Sequence, residues 1–224
     1  MEYRHEWKHA ISWQDALAVR QNLRAAAAYD AHAQNGRYTV CSLYFDTPSD
    51  RALREKLDGV SRREKFRIRY YNDSPDVVHL EKKCKLGDLC RKLSAPLTAE
   101  QARAIAAGET GWMRQSPQPL VRELYGKLTW QLLRPRTLVR YTREPFVYAP
   151  GNVRVTLDYD ICTALGCTEL FAPPERFVRA LDTPAVLLEV KWDAFLPESI
   201  RRAVALKSRS AGAFSKYAQC RLYG

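Results

Sequence analysis

Side chains able to hold an anion recur in this sequence at alternate positions. They are Arg4, Glu6 and Lys8; Lys65, Arg67 and Arg69; Glu81, Lys83 and Lys85; Arg154 and Asp158; and Glu189 and Lys191. Spacing by two places side chains on one face of a β-strand. Each row is mostly cationic, with a carboxylate or two set into it. Arg offers a planar fork to phosphate oxygens and Lys a point charge. One or two carboxylates are enough for a divalent metal that also bridges phosphate oxygens. The chemistry on offer is therefore capture of a phosphate-rich anion together with a hard cation. A solvated face accounts for any one row alone. Jointly that account weakens, because like charges opposite one another on neighbouring strands destabilise pairing. Two like charges about 4 Å apart repel by roughly 4 kcal/mol at an effective dielectric near 20. The alternative is that the rows converge inside a closed barrel around an anion.

The elements that must carry these rows are legible as alternation. Strand patterns cover 3–11, 38–45, 65–71, 77–85, 137–148, 153–161 and 185–192. In 65–71 the apolar face is Phe66, Ile68 and Tyr70, opposite the Lys/Arg row. Helical patterns cover 16–28, with Ser12 and Asp15 as an N-cap signal, a short stretch at 50–57, and 98–107. The last of these carries a Thr98/Gln101 capping box and ends at Gly108. Further helices are expected over 120–133, stopped before Pro135, and over 197–206, with 208–223 closing the chain. No repeat and no Gly/Ser linker divides the sequence, so 1–224 reads as a single domain.

Composition excludes several classes. The chain has 224 residues, with 36 Lys+Arg against 25 Asp+Glu and a formal net charge of +11. That length buries a core without staples, and 46% hydrophobic residues exclude disorder. No apolar run approaches a membrane span and no secretory leader is visible, so a cytoplasmic location is expected. Six cysteines without a secretory signal read as reduced thiols rather than a disulfide framework, and none forms the CxxC pair of a zinc ribbon. The four histidines are scattered, and the five tryptophans are expected to pack in the core and beneath the helices.

Eight motifs, in order and nearly end to end, resemble the triphosphate tunnel metalloenzymes, and within them the VTC-type polyphosphate polymerase domain. They are Arg4-x-Glu6-x-Lys8; Ser42-Leu43-Tyr44-Phe45-Asp46; Lys65-Phe66-Arg67-Ile68-Arg69-Tyr70; Leu80-Glu81-Lys82-Lys83; Tyr141-Thr142-Arg143-Glu144-Pro145-Phe146; Val153-Arg154-Val155-Thr156-Leu157-Asp158; Leu188-Glu189-Val190-Lys191; and Phe214-Ser215-Lys216-Tyr217. The resemblance implies an α+β fold, an eight-stranded antiparallel β-barrel tunnel with flanking helices. It implies that Lys8, Arg67, Arg69, Lys83, Arg143, Arg154 and Lys216 act on phosphate, with Arg4, Lys65 and Lys191 extending the substrate site. Glu189 is implied as the carboxylate for Mn²⁺ or Mg²⁺, with Glu6 and Glu81 either assisting it or simply pairing with nearby cations. Asp158 either pairs with Arg154 or supports the metal, and Lys92 reads as a solvated lysine. The implied partners are ATP and polyphosphate or triphosphate.

The first motif stands between the polymerase pattern and the Glu-x-Glu-x-Lys of the triphosphatase and adenylate cyclase branch. Two enzyme readings therefore stand side by side: a polyphosphate polymerase, or a triphosphatase with water as acceptor. A tunnel that binds polyphosphate without chemistry is the third reading. Full-length membrane polymerases of this type carry a phosphate-sensing domain and membrane helices; neither is seen here, so sensing and translocation are not expected. Nucleic acid is disfavoured as a partner, because the aromatic residues that would stack bases lie on the face opposite the cations.

Overall fold

Alternating apolar and charged residues build ten antiparallel strands in the computed structural model, which describes residues 3–87, 89–164, 166–171, 174–180, 185–206 and 214–222. The strands are β1 (His5–Ile11), β2 (Ala28–Tyr29), β3 (Tyr38–Asp46), β4 (Arg62–Tyr71), β5 (Ser74–Leu86), β6 (Leu89–Leu97), β7 (Arg134–Tyr148), β8 (Val153–Ala164), β9 (Val178–Arg179) and β10 (Val186–Trp192). The helices are α1 (Trp13–Ala26), α2 (Arg51–Leu57), α3 (Ala99–Ala107), α4 (Pro119–Trp130), α5 (Glu198–Ala203) and α6 (Lys216–Leu222). Eight strands follow the order β1–β10–β8–β7–β3–β4–β5–β6, with β2 added beside β7 and β9 beside β8. Between the edge strands one antiparallel bridge carries both of its backbone bonds, Arg4 N–H to the Cys90 carbonyl at 3.0 Å and Cys90 N–H to the Arg4 carbonyl at 3.1 Å. The expected eight-stranded barrel with flanking helices is thus the observed fold, its edge strands joined among the described residues by this one bridge.

The outward faces are apolar and need cover. Phe66, Ile68 and Tyr70 of β4 pack with Leu43, Leu80 and Leu138 beneath Ile105 of α3 and Leu124 of α4. On the other side Val155, Leu157, Leu188 and Val190 pack beneath Val19 and Leu23 of α1 and Ile200 of α5. A third cluster lies on the opposite, inward face, where Val40, Tyr44, Val139 and Tyr141 of β3 and β7 pack with Tyr217 and Cys220 of α6. Helix α6 therefore docks on a different set of wall residues from the other helices.

Several boundaries differ from the sequence reading, each for a physical reason. Strand β6 was not expected: Leu93, Ala95 and Leu97 do alternate into the core, but Pro96 and the mixed polar residues mask the pattern. A sheet edge tolerates such a proline. Helix α1 starts earlier, at Trp13, because Ser12 and Asp15 form a reciprocal capping box. It ends before Ala28, which pairs with Val147 instead and lets Tyr29 pack on Phe146. Leu132 adopts a left-handed backbone (φ 56°) and stops α4 short of 133. Trp130 consequently stands 85% exposed, against the expectation that the tryptophans are all covered. The hairpin between β4 and β5 runs through Asn72 and Asp73, both at positive φ, which matches the twist of the strands they join. The expectation for 208–223 falls partly outside the described residues; within them α6 occupies its end. Among the described residues no helix is long and apolar enough to cross a membrane.

Leu124→Ala removes a fully buried side chain from the contact between α4 and the sheet. Urea unfolding is expected to show a loss of about 2–5 kcal/mol, with anion affinity of the folded protein unchanged because the charged faces point the other way.

Candidate functional site

Strand register brings the charged rows onto one continuous face. Glu6 lies opposite Lys191 and Lys8 opposite Glu189, while Glu189 faces Thr156 and Lys191 faces Arg154 on the next strand. Asp158 pairs with Arg143, and Arg143 with Tyr38. Ser42 and Tyr44 stand opposite Arg69 and Arg67. Arg67 then meets Glu81, Lys65 meets Lys83, and Lys83 meets Lys92. Directly opposed residues share a face, and this face is the inside of the barrel.

The buried carboxylates divide the cations into clusters. Glu6 takes Lys83 Nζ at 2.8 Å, Lys8 at 3.4 Å and Lys191 at 3.5 Å, and Lys191 also reaches Glu189 at 2.5 Å. Glu81 takes Arg67 at 2.7 Å, Lys92 at 3.0 Å and Arg69 at 3.5 Å. Asp158 receives a two-pronged bond from Arg143, with both N–H groups at 2.7 Å, and Lys216 of α6 at 2.6 Å. Arg143 also approaches Glu189 at 3.7 Å, which links the third cluster to the first. Tyrosines complete the inner wall. Arg67 donates to the Tyr44 hydroxyl at 2.7 Å, Arg69 donates to that of Tyr141 at 3.3 Å, and Lys216 Nζ sits 4.6 Å from the Tyr141 ring centre.

Electrostatics separate braced cations from crowded ones. Burial works against the charge on Lys8, yet the carboxylates of Glu189 and Glu6 raise its pKa above the usual lysine value. Burial likewise acts to raise the pKa of Glu189, and Lys191 and Lys8 outweigh it and hold that carboxyl well below its ordinary range. Lys65 shows the reverse: burial first, then Lys83, Lys8 and Arg67, drives its pKa well below the ordinary 10.5. Its side chain meets only the Ser215 hydroxyl at 3.4 Å and the Tyr217 ring, with no carboxylate in ion-pair reach among the described residues. Lys83 is lowered too, by burial and Lys8, in spite of Glu6.

Lys8, Lys65, Arg67, Arg69, Lys83, Arg143, Lys191, Lys216, Glu6, Glu81 and Glu189 are thus all brought to the inner face. Arg154 lies on it as well, where its guanidinium donates to Asp30 at 2.7 Å and to the Tyr38 hydroxyl at 2.8 Å. Arg4 does not join them. It pairs with Asp193 at 2.6 Å and with the Asn152 carbonyl at the barrel end, because its backbone makes the seam bridge there. Glu81 stands apart from Glu6 and Glu189 in its own ion cluster, its oxygens taken by Arg67, Arg69 and Lys92 rather than turned toward a metal. Asp158 pairs with Arg143 and Lys216, not Arg154, and half-exposed Lys92 is bonded to Glu81 rather than solvated. Sequence reasoning gave Tyr44, Tyr141 and Thr156 no role; Tyr141 alternates with Arg143 and Thr156 with Arg154 and Asp158, which is the signal that could have found those two, while Tyr44 shows only in its register opposite Arg67.

Among the described residues one place suits a metal. Glu6 and Glu189 lie diagonally across the β1–β10 pair, both within reach of Lys191, and neighbouring lysines hold both carboxyls below the usual range. Opposite Glu189 on the next strand, the buried Thr156 hydroxyl has no protein partner among the described residues. Two carboxylates and an open hydroxyl leave positions for water and phosphate oxygens, as Mg²⁺ or Mn²⁺ require. Among the described residues no third His, Cys, Asp or Glu joins this pair in a ready-made metal cage.

An eight-stranded barrel whose inner face carries braced and unbraced cations can hold a polyanion. The chain belongs to the VTC domain family, which matches residues 3–223. No curated protein matches it. Among solved structures it is similar to HpAC1 from Hippeastrum, a candidate adenylyl cyclase with a dominant triphosphatase activity, at 14% identity and a TM-score of 0.61 over 100% of this chain and 96% of that one. It is also similar to a candidate adenylate cyclase from Bacillus halodurans (14% identity, TM-score 0.52, 90% of this chain and 84% of that one). The PH1012 protein from Pyrococcus horikoshii is a third (14% identity, TM-score 0.51, 95% and 96%). At such identities the likeness is one of fold.

The depressed Lys65 gives a signed prediction. Its folded pKa lies below the unfolded value, so the protonated form costs stability at low pH. That cost fades as pH rises through the folded pKa. A bound polyanion reverses the shift and draws a proton in. Calorimetric titration with tripolyphosphate at mildly alkaline pH, in two buffers of different ionisation enthalpy, is expected to show net proton uptake that shrinks in Lys65→Met. Identical uptake in the variant contradicts this account of the cluster.

Proposed function

We propose that this protein is a metal-dependent polyphosphate polymerase that moves the γ-phosphoryl group of ATP onto the terminal phosphate oxygen of a growing polyphosphate chain, with release of ADP. The observation that carries the reading is that Lys65, with no carboxylate in ion-pair reach among the described residues, is crowded by Lys83, Lys8 and Arg67 in a barrel of the VTC family. Such crowding is repulsive in the empty protein and becomes favourable around a chain of phosphates. A cytoplasmic location goes with this reading, since ATP is the donor.

Phosphoryl transfer asks for positioning and charge neutralisation rather than a protein nucleophile. Arg67, Arg69 and Arg143 present guanidinium forks already fixed by Glu81 and Asp158, so little reorganisation is needed when phosphate arrives. Lys8, Lys65, Lys83 and Lys216 supply point charges around the transferring group, and Arg154 reaches the substrate from beside Asp30. Lys191 keeps Glu189 ionised and Arg143 stands near it. Glu189 and Glu6 would hold Mg²⁺ or Mn²⁺, which when bound neutralises charge on the β- and γ-phosphate oxygens. The acceptor oxygen is already anionic, so no general base is called for in polymerisation.

The same tunnel with water as acceptor is a triphosphatase. That second reading is favoured by the fold shared with the Hippeastrum protein of dominant triphosphatase activity and by the intermediate first motif. Incubation with γ-labelled ATP and Mn²⁺ or Mg²⁺ separates the readings. A ladder of lengthening polyphosphate is expected. Orthophosphate alone overturns the polymerase in favour of the hydrolase, and polyphosphate binding without turnover leaves a binding module. Glu189→Gln is expected to lower the rate by roughly a hundred-fold or more while polyphosphate binding persists. An unchanged rate removes Glu189 from the metal site.

A further inference from the structure

Asp46 lies outside the phosphate machinery, is 1% exposed, and stands where β3 ends. Its Oδ1 accepts the backbone N–H groups of Thr47 and Ala52, both at 2.8 Å, and its Oδ2 accepts that of Leu53 at 3.1 Å. The Ala52 and Leu53 bonds satisfy amino-terminal groups of α2, whose own preceding residue, Asp50, makes no side-chain cap. Capping alone would leave Asp46 a structural residue. The same Oδ2, however, takes a further bond at 2.5 Å from the Tyr217 hydroxyl of α6, across 171 residues of sequence.

Tyr217 sits in the turn that faces the phosphate residues. On one side Lys216 reaches Asp158; on the other, the Ser215 hydroxyl meets Lys65. The Tyr217 ring lies 5.0 Å from that of Tyr44, whose hydroxyl receives Arg67. One helical turn therefore carries or contacts groups bound to three separate cations, and Asp46 is one of its two buried polar anchors beside Asp158. A second brace, Arg221 to Asp50 at 2.6 Å, ties the far end of α6 to the same α2 corner.

We propose that Asp46 is a positioning residue that, through the Tyr217 hydroxyl, seats α6 so that Lys216 and Lys65 meet the phosphate chain in register. The consequence for phosphate rests on the reading of the tunnel as a phosphate site; the seating of the helix does not. Tyr217→Phe is the sharp probe, since it deletes one hydroxyl, keeps the ring against Tyr44 and leaves Asp46 free to cap α2. Asp46→Asn is the companion: its oxygen keeps the Thr47 and Ala52 bonds, while the amide NH₂ in place of Oδ2 can accept neither from Tyr217 nor from Leu53.

The test uses the full chain, with hydrogen exchange read by mass spectrometry over 214–222 and calorimetric binding of tripolyphosphate with Mg²⁺. In Tyr217→Phe, exchange across α6 is expected to rise roughly ten-fold and tripolyphosphate affinity to fall by a similar factor, as for loss of one buried hydrogen bond. Added to Lys216→Met, Tyr217→Phe is expected to lower affinity much less than it does alone, because the positioned ammonium is already gone. Unchanged exchange and affinity overturn the proposal, as does a full additive loss in the double variant. If the parent protein binds no tripolyphosphate, the phosphate reading falls, and α6 exchange alone then decides whether Asp46 seats the helix.

Discussion

Mutual repulsion among inward-facing cations is the constraint around which this fold is arranged. Neighbouring strands bring Lys65 opposite Lys83 and Lys83 opposite Lys92. At contact distance each such pair costs several kcal/mol if water is poorly admitted. Sharing of carboxylates offsets most of this. Glu81 serves Arg67, Arg69 and Lys92; Asp158 serves Arg143 and Lys216; and Glu6 serves Lys83, Lys8 and Lys191. Among the described residues the carboxylates leave the partly buried Lys65 uncovered, and a desolvated cation without a partner is costly to the folded protein.

That tolerance depends on a division of labour between the two faces of each strand. The period of two sends Phe66, Ile68 and Tyr70 outward under α3 and α4 while Lys65, Arg67 and Arg69 point in. Stability is gathered outside, in two apolar clusters roofed by helices, so the interior can hold charge without carrying the fold. Helix α6 is the exception. It packs Tyr217 and Cys220 against Val40, Val139 and Tyr141 and also delivers Lys216 to Asp158. In it, packing and site placement are one contact.

Legibility in the sequence follows the same division. Strands with clean alternation, such as 65–71 and 153–161, were readable, and so were the charged rows they carry. Strand β6 was not, because an edge strand accepts Pro96 and polar residues that a central strand rejects. Partner choice was also hidden. Asp158 shares a strand face with Arg154, two turns of the alternation away, yet it bonds to Arg143 on the neighbouring strand. That choice depends on a register shift between Arg140 and Thr142 that alternation cannot reveal. Lys216 lies on a helix and breaks the strand pattern altogether; only the family resemblance pointed to it. Glu6 and Glu81 looked equivalent as lone acids in basic rows, and geometry alone separated the one beside Glu189 from the one consumed by arginines.

The seam shows how tightly the site and the fold are coupled. Among the described residues the bridge of Arg4 and Cys90 carries the backbone bonding between β1 and β6, and side chains span the seam beside it. The Glu6–Lys83 pair joins β1 to β5 there, and the Cys90 thiol donates to the same Glu6 at 3.5 Å. Glu6, one of the two carboxylates proposed to hold the metal, therefore also ties the barrel's edges to each other. This explains the two roles of the first motif. Arg4 is spent on the barrel end, with its backbone on Cys90 and its guanidinium on Asp193, while Glu6 and Lys8, one and two alternations further in, are left to the charge balance of the tunnel. A single strand thus changes from closing the barrel to lining it within five residues, and the charge on each residue of the row is set by which of the two tasks falls at its position.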